Sequence, residues 1–258
     1  MTRATLFAAL ASLLLALAPG GCAGETAGRL VEIEVALRGD PEARTHGTSA
    51  GWAIELDEAW LVAGPVHVFA PADEPVAARL APLALARAHG GFDPLDGRAV
   101  RAELLEQAAI DALDGTPMRW LAPAEEGPVD ELSVGLEAPL AGAGVATRGH
   151  QAWVRGRASR GGETVAFEGG LDLSGDGVAR RVGNVALDAT LGAGGRLTIT
   201  LDARRWLDGV AFDRLDAVEG EVAMFEPGDQ ASAAWRVGLH DPGAYRASWR
   251  DDSEGEER

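Results

Sequence analysis

The sequence predicts a mostly β protein, an antiparallel β-sandwich or open barrel with at most one or two short helices. Three observations lead there. Segments of period-two apolar alternation recur along the chain, glycine- and proline-bearing turns separate them, and no strand–helix–strand rhythm is present. With 258 residues, 47% of them hydrophobic, there is ample apolar material for a core that needs no covalent staples.

The clearest alternation runs from Arg29 to Arg38, RLVEIEVALR. It sets Val31, Ile33, Val35 and Leu37 on one face and Glu32, Glu34, Ala36 and Arg38 on the other. A second apolar strand is expected at GPVHVF, where His67 and Phe69 share a face. In LSVGLEA the inward phase is Leu132, Val134, Leu136 and Ala138, and Val165, Phe167, Leu171 and Leu173 share a side farther along.

Two hairpins are expected. One turns through Arg160-Gly161-Gly162 between a strand ending near Ser159 and one starting at Glu163. The other turns through residues 192–195, GAGG, between Val185–Leu191 and the strand carrying Leu197, Ile199 and Leu201. The last strands are expected at Glu219–Phe225 and Ala233–His240, split by Glu226-Pro227-Gly228-Asp229. Trp60 and Trp235 follow the core phase of their strands.

Two segments fit either state. Residues 98–114 place Leu104, Leu105, Ala108, Ala109 and Ala112 on one helical face, yet Val100, Ala102, Leu104, Ala108, Ile110 and Ala112 also alternate in one phase. The Ala-rich stretch 75–88 is equally open.

At the start, Arg3 is followed by an apolar run from Leu6 to Leu17 and then by Ala18-Pro19-Gly20-Gly21-Cys22. A positive charge, about a dozen apolar residues and small residues before a cut describe a secretory signal, since a membrane-spanning helix needs about 20. Small residues just before a cysteine in this setting resemble the lipobox of bacterial lipoproteins, although Pro19 stands where that pattern favours a leucine-like residue.

The resemblance covers residues 1–23. It implies a covalent lipid on Cys22 as the new N-terminus and, because Ala23 is not an aspartate, delivery to the outer membrane, facing the periplasm or the cell surface. The alternative is ordinary secretion, with Cys22 discarded or left as a free thiol in a flexible leader. The expected organisation is a signal peptide at 1–21, a lipidated tether at 22–28, one β domain at 29–250 and an acidic, disordered tail at 251–258.

The formal net charge is −17, and all 23 basic residues are arginine. Such a body repels phosphate backbones and anionic headgroups, so nucleic acid is excluded as a partner, and the membrane is reached through the lipid anchor. Cys22 is the single cysteine, so the mature body has no disulfide, zinc-thiolate site or thiol nucleophile. No GxSxG, HExxH or Walker motif supports an enzyme, and 40 carboxylates are too many for any pair to stand out.

Asp172-Leu173-Ser174-Gly175-Asp176-Gly177 begins like a calcium loop, but Gly183 occupies the twelfth position, and a solvated turn explains the stretch better. Imidazole is the transition-metal ligand left to a cysteine-free body. His67 lies on an apolar strand, His89 at an element end, and His150 opens a strand in phase with Ala152 and Val154. These three are the candidate ligands for a divalent metal (zinc, copper or iron), with Asp93 or Asp111 as a carboxylate partner, although none has the short HxH or HxxxH spacing of a metal motif. Trp153, out of phase with Val154 and flanked by Gln151, Arg155 and Arg157, is the candidate partner- or carbohydrate-binding aromatic; a strand covered on both faces is the plainer account.

The expected function is therefore a non-catalytic envelope lipoprotein with a ligand- or partner-binding β domain, the partner being an envelope receptor or transporter. A metal-binding accessory protein of an uptake system is the alternative, and a hydrolase with unassigned carboxylates the third.

Overall fold

The computed structural model describes residues 28–72, 98–140, 143–174, 179–215 and 221–251. The signal-like segment with Cys22, residues 75–88, His89, Asp93 and the tail after Asp251 lie outside them.

The chain is mostly β. One sheet has eight strands in the order β11 (Arg181–Leu191), β8 (Gly127–Gly135), β4 (Val66–Phe69), β5 (Val100–Leu104), β7 (Met118–Glu125), β1 (Leu30–Gly39), β12 (Arg196–Leu201) and β14 (Tyr245–Arg250). Its edge strands β11 and β14 lie against each other without a ladder, so the sheet curls almost into a barrel. The second sheet runs β13 (Ala223–Met224), β10 (Glu163–Leu171), β9 (Ala152–Arg160), β3 (Ala53–Ala63) and β2 (Thr45–Gly47), with β6 (Ala108–Asp111) paired beside β3. The named ladders are antiparallel except β1 with β12 and β10 with β13.

Alternation decides the inward face, and one hydrophobic cluster takes residues from both sheets, including Ile33, Val35 and Leu37 of β1, Ile54 and Leu56 of β3, and Val154 of β9. In β3 a register shift between Leu56 and Glu58 moves the core phase by one residue, so Ala59 and Leu61 turn inward. Trp60 consequently leaves the core phase expected for it. It is half-buried and stands opposite Trp153 in the β3–β9 ladder.

Residues 98–114 form strands, β5 and β6, with Ala102, Leu104, Ala108, Ile110 and Ala112 all buried. The long-range pairing of β5 with β4 and of β6 with β3 outweighs a helix propensity worth only tenths of a kcal/mol per residue. The Gly161-Gly162 turn also forms as expected: φ is 61° and 92°, the positive values that a two-residue hairpin of type I′ requires at both positions.

Three further expectations are corrected. Residues 233–240 belong mainly to a helix: α1 is Ala203–Trp206 and α2 is Gln230–Leu239. Asp229 caps α2 by accepting the Ser232 amide at 2.5 Å, and Ala231, Trp235 and Leu239 bury one stripe at i, i+4 and i+8. The strand expected at Glu219–Phe225 contracts to the two residues of β13 within its described part. Finally, β11 and β12 do not pair with each other. The GAGG turn spans the seam of the curled sheet, β11 pairs with β8, and β12 pairs with β1 and β14.

The helical C-terminal region plugs the space beneath the six-stranded sheet with aromatic rings. Phe167 of β10 meets Phe212 at 4.9 Å between centroids and Phe225 at 5.8 Å, Phe212 meets Trp52 at 5.6 Å, and Phe225 meets Trp235 at 5.3 Å. Among the described residues no helix is long and apolar enough to cross a membrane.

Candidate functional site

The outer face of β7, β1, β12 and β14 carries a concavity of about 330 Å³ whose lining includes Arg38, Arg119, Arg196 and Arg250. Register explains how four arginines gather in so acidic a chain. Ala36 of β1 stands beside Arg119 of β7 and Thr198 of β12, and Thr198 stands beside Ser248 of β14. These short side chains in one cross-strand row form a low floor.

The next row in one direction is Leu121, Glu34, Arg196 and Arg250; in the other it includes Arg38, Thr200 and Arg246. Long guanidinium side chains therefore flank the floor on both sides. Glu34 accepts from Arg196 at 2.5 Å and lies 3.5 Å from Arg119, while Arg38 donates to Thr200 Oγ1 at 3.1 Å. Glycine at 195 leaves room for the Trp249 indole, with which a Cβ there would collide.

One end of the groove is braced by an ionic network built on two buried carboxylates, Asp40 and Asp202. Arg204 donates to both oxygens of Asp202 at 2.7 Å and to Asp40 at 2.8 Å, and Arg246 also reaches Asp40. Burial pushes the Asp202 carboxyl up, but the side-chain and backbone N–H groups of Arg204 outweigh it and leave the pKa below the ordinary value. Asp202 also caps α1, so the network ties the end of β1 to the end of β12 and to the first helix.

The described residues among those singled out from sequence lie elsewhere. His67 of β4 faces away from the core cluster yet is buried, and its Nε2 sits 3.0 Å from Glu103 of the neighbouring strand β5. His150 is not inward. It precedes β9, where its amide bonds Thr147 O in a turn, so strand phase does not apply to it, and its half-exposed ring sits 2.9 Å from Asp172. Each of the two histidines thus holds its own carboxylate, His67 within the eight-stranded sheet and His150 at the start of the six-stranded one. Among the described residues no three His, Cys, Asp or Glu side chains gather to hold a metal.

Trp153 does lie on the outer face of its sheet, but it is only 4% exposed. The Arg148 guanidinium covers its ring at 4.1 Å, the His150 ring stacks at 6.1 Å, and its indole N–H donates to Glu58 at 3.0 Å. Glu58 also binds Arg155 at 2.8 Å and Arg148 at 3.4 Å. Asp111 stands opposite neighbouring Trp60, and burial, reinforced by Asp114 and Glu58, raises its pKa against the Leu113 amide it accepts.

The groove arginines escaped the sequence reading. Their signal was a recurring arginine two residues from a short outward side chain, in Ala36-Leu37-Arg38, Arg196-Leu197-Thr198 and Ser248-Trp249-Arg250. Only the strand order places those three pieces side by side. Comparison with protein families, with curated proteins and with solved structures finds no match for this chain.

Proposed function

We propose that this chain is a non-catalytic cell-envelope lipoprotein, held at the outer membrane by lipid on Cys22, whose β domain binds a ligand in the arginine-lined groove. The observation that carries the binding role is the groove itself. It combines a concavity of about 330 Å³, within the range of small-ligand sites, with guanidinium and hydroxyl groups converging on a low floor. The guanidinium and hydroxyl groups of its lining are hydrogen-bond donors suited to holding a ligand's oxygen atoms. The small residues ending in Cys22 support the anchor.

Cell fractionation and mass spectrometry test the anchor. The native chain should enter the membrane fraction with an acylated Cys22 at its N-terminus, and Cys22→Ala should release it to the soluble fraction. A Cys22→Ala protein that fractionates as the native one does would overturn the lipoprotein assignment.

A further inference from the structure

We infer that the groove across β7, β1, β12 and β14 is a site for a small oxyanion group with two or more negative charges, a phosphate ester or a polycarboxylate. The inference rests on the ligand-binding role proposed above and names the ligand's chemistry.

Four features lead to it. Arg38 and Arg250 have no carboxylate within ion-pair distance among the described residues, although the chain has 40 acidic side chains against 23 arginines. In the same groove, Arg196 and Arg119 share the single carboxylate of Glu34, so among the described residues the four guanidiniums outnumber their carboxylate partner. The floor hydroxyls of Thr198 and Ser248 accept and donate nothing among the described residues, which leaves two donors facing the space the arginines surround. Planar guanidinium forks match carboxylate and phosphate oxygens two at a time, which a monatomic anion cannot exploit.

Size follows from charge. An extended polyanion or an anionic membrane meets the repulsion of a body with net charge −17, whereas a small anion seated within a Debye length of four arginines feels mainly those. Neighbouring strands are about 4.8 Å apart, so Arg119 on β7 and Ser248 on β14, three steps across, bracket a span of about 14 Å. Glu34 holds Arg196 and Arg119 in place when the groove is empty and competes with the anion when it is filled.

The test is titration of the full-length Cys22→Ala chain with citrate and with inorganic pyrophosphate, followed by calorimetry and by backbone amide NMR. Shifts should centre on Ala36, Thr198 and Ser248. The Arg38→Gln/Arg250→Gln pair should weaken binding by about tenfold or more, the loss expected for hydrogen bonds to charge. Glu34→Gln should instead tighten it by freeing two guanidiniums, an opposite sign that misfolding cannot imitate.

Sedimentation with vesicles of phosphatidylcholine containing one quarter phosphatidic acid, whose phosphomonoester headgroup can carry a second negative charge, separates the sources. Capture that the arginine pair abolishes assigns the oxyanion to a lipid headgroup, and no capture assigns it to a free solute. Citrate and pyrophosphate that fail to bind, or that bind the arginine pair variant as tightly as the unsubstituted chain, overturn the inference. Spermine or maltose shifting the same amides in their place overturns the anion class while leaving a ligand-binding groove standing.

Discussion

The Arg148 guanidinium lies 4.1 Å from the centre of the Trp153 ring and converts an outward-pointing tryptophan into a sealed one. Arg148→Ala should therefore expose the indole, shifting the Trp153 component of fluorescence to the red, read as a difference against Trp153→Phe. At a partly exposed site the lost cation–π contact costs about 0.5–1 kcal/mol in urea unfolding. An emission spectrum unchanged by Arg148→Ala would show that Arg148 does not seal the ring.

Gly170 stands opposite Trp153 in the β9–β10 ladder, and a Cβ there would strike the His150 imidazole. Gly170→Ala should cost about 1–3 kcal/mol by overpacking and displace His150 from Asp172. In a His150→Ala background the same substitution should cost much less. Equal costs in both backgrounds, measured by chemical denaturation, would place the strain elsewhere.

Two carboxylates should respond to pH with opposite signs. The Asp202 pKa is lowered in the fold, so its stabilising contribution is present above the ordinary carboxylate range and is lost as pH falls through the lowered value. Asp202→Asn should thus destabilise at neutral pH, by about 1–2 kcal/mol, with the deficit shrinking in acid. The Asp111 pKa is raised, so its charge opposes folding once pH rises through that value. Asp111→Asn, which keeps an acceptor for the Leu113 amide, should raise the melting temperature at neutral pH and add nothing in acid. Parallel thermal scans of both variants across pH check the two signs together.

Residues 233–240 alternate Ala233, Trp235, Val237 and Leu239 and so imitate a strand, but burial follows the helix. Val237 is 73% exposed, whereas Trp235 and Leu239 are 0% and 1% exposed. Val237→Glu should change stability by less than about 0.5 kcal/mol, and Leu239→Ala should cost about 2–5 kcal/mol. A strand would make both positions equally sensitive, so similar losses in the two variants would overturn the helical assignment.

How much could be read in advance depended on the range of the interaction. Period-two burial in β1, β9 and β12, the Gly161-Gly162 hairpin and the β class itself follow from side-chain alternation and backbone sterics, which act between near neighbours. The misread helix failed for want of weighing a local cue, the Asp229 cap, against an alternation that α2 also satisfies by chance. The phase of Trp60 failed because one inserted residue in β3, invisible in composition, reverses which face follows.

The groove and the cover over Trp153 belong to another class. Arg119, Arg38, Arg196 and Arg250 come from four strands whose adjacency is not sequential, and Arg148 reaches Trp153 only because the turn before β9 folds back. Local patterning along the chain was enough to give the β class and the inward side of its clearest strands, though it left residues 98–114 open and misread 233–240. Which strands became neighbours, and hence which outward side chains share a site, depended on long-range pairing and on closure of the eight-stranded sheet, because those contacts join residues that no sequence period relates.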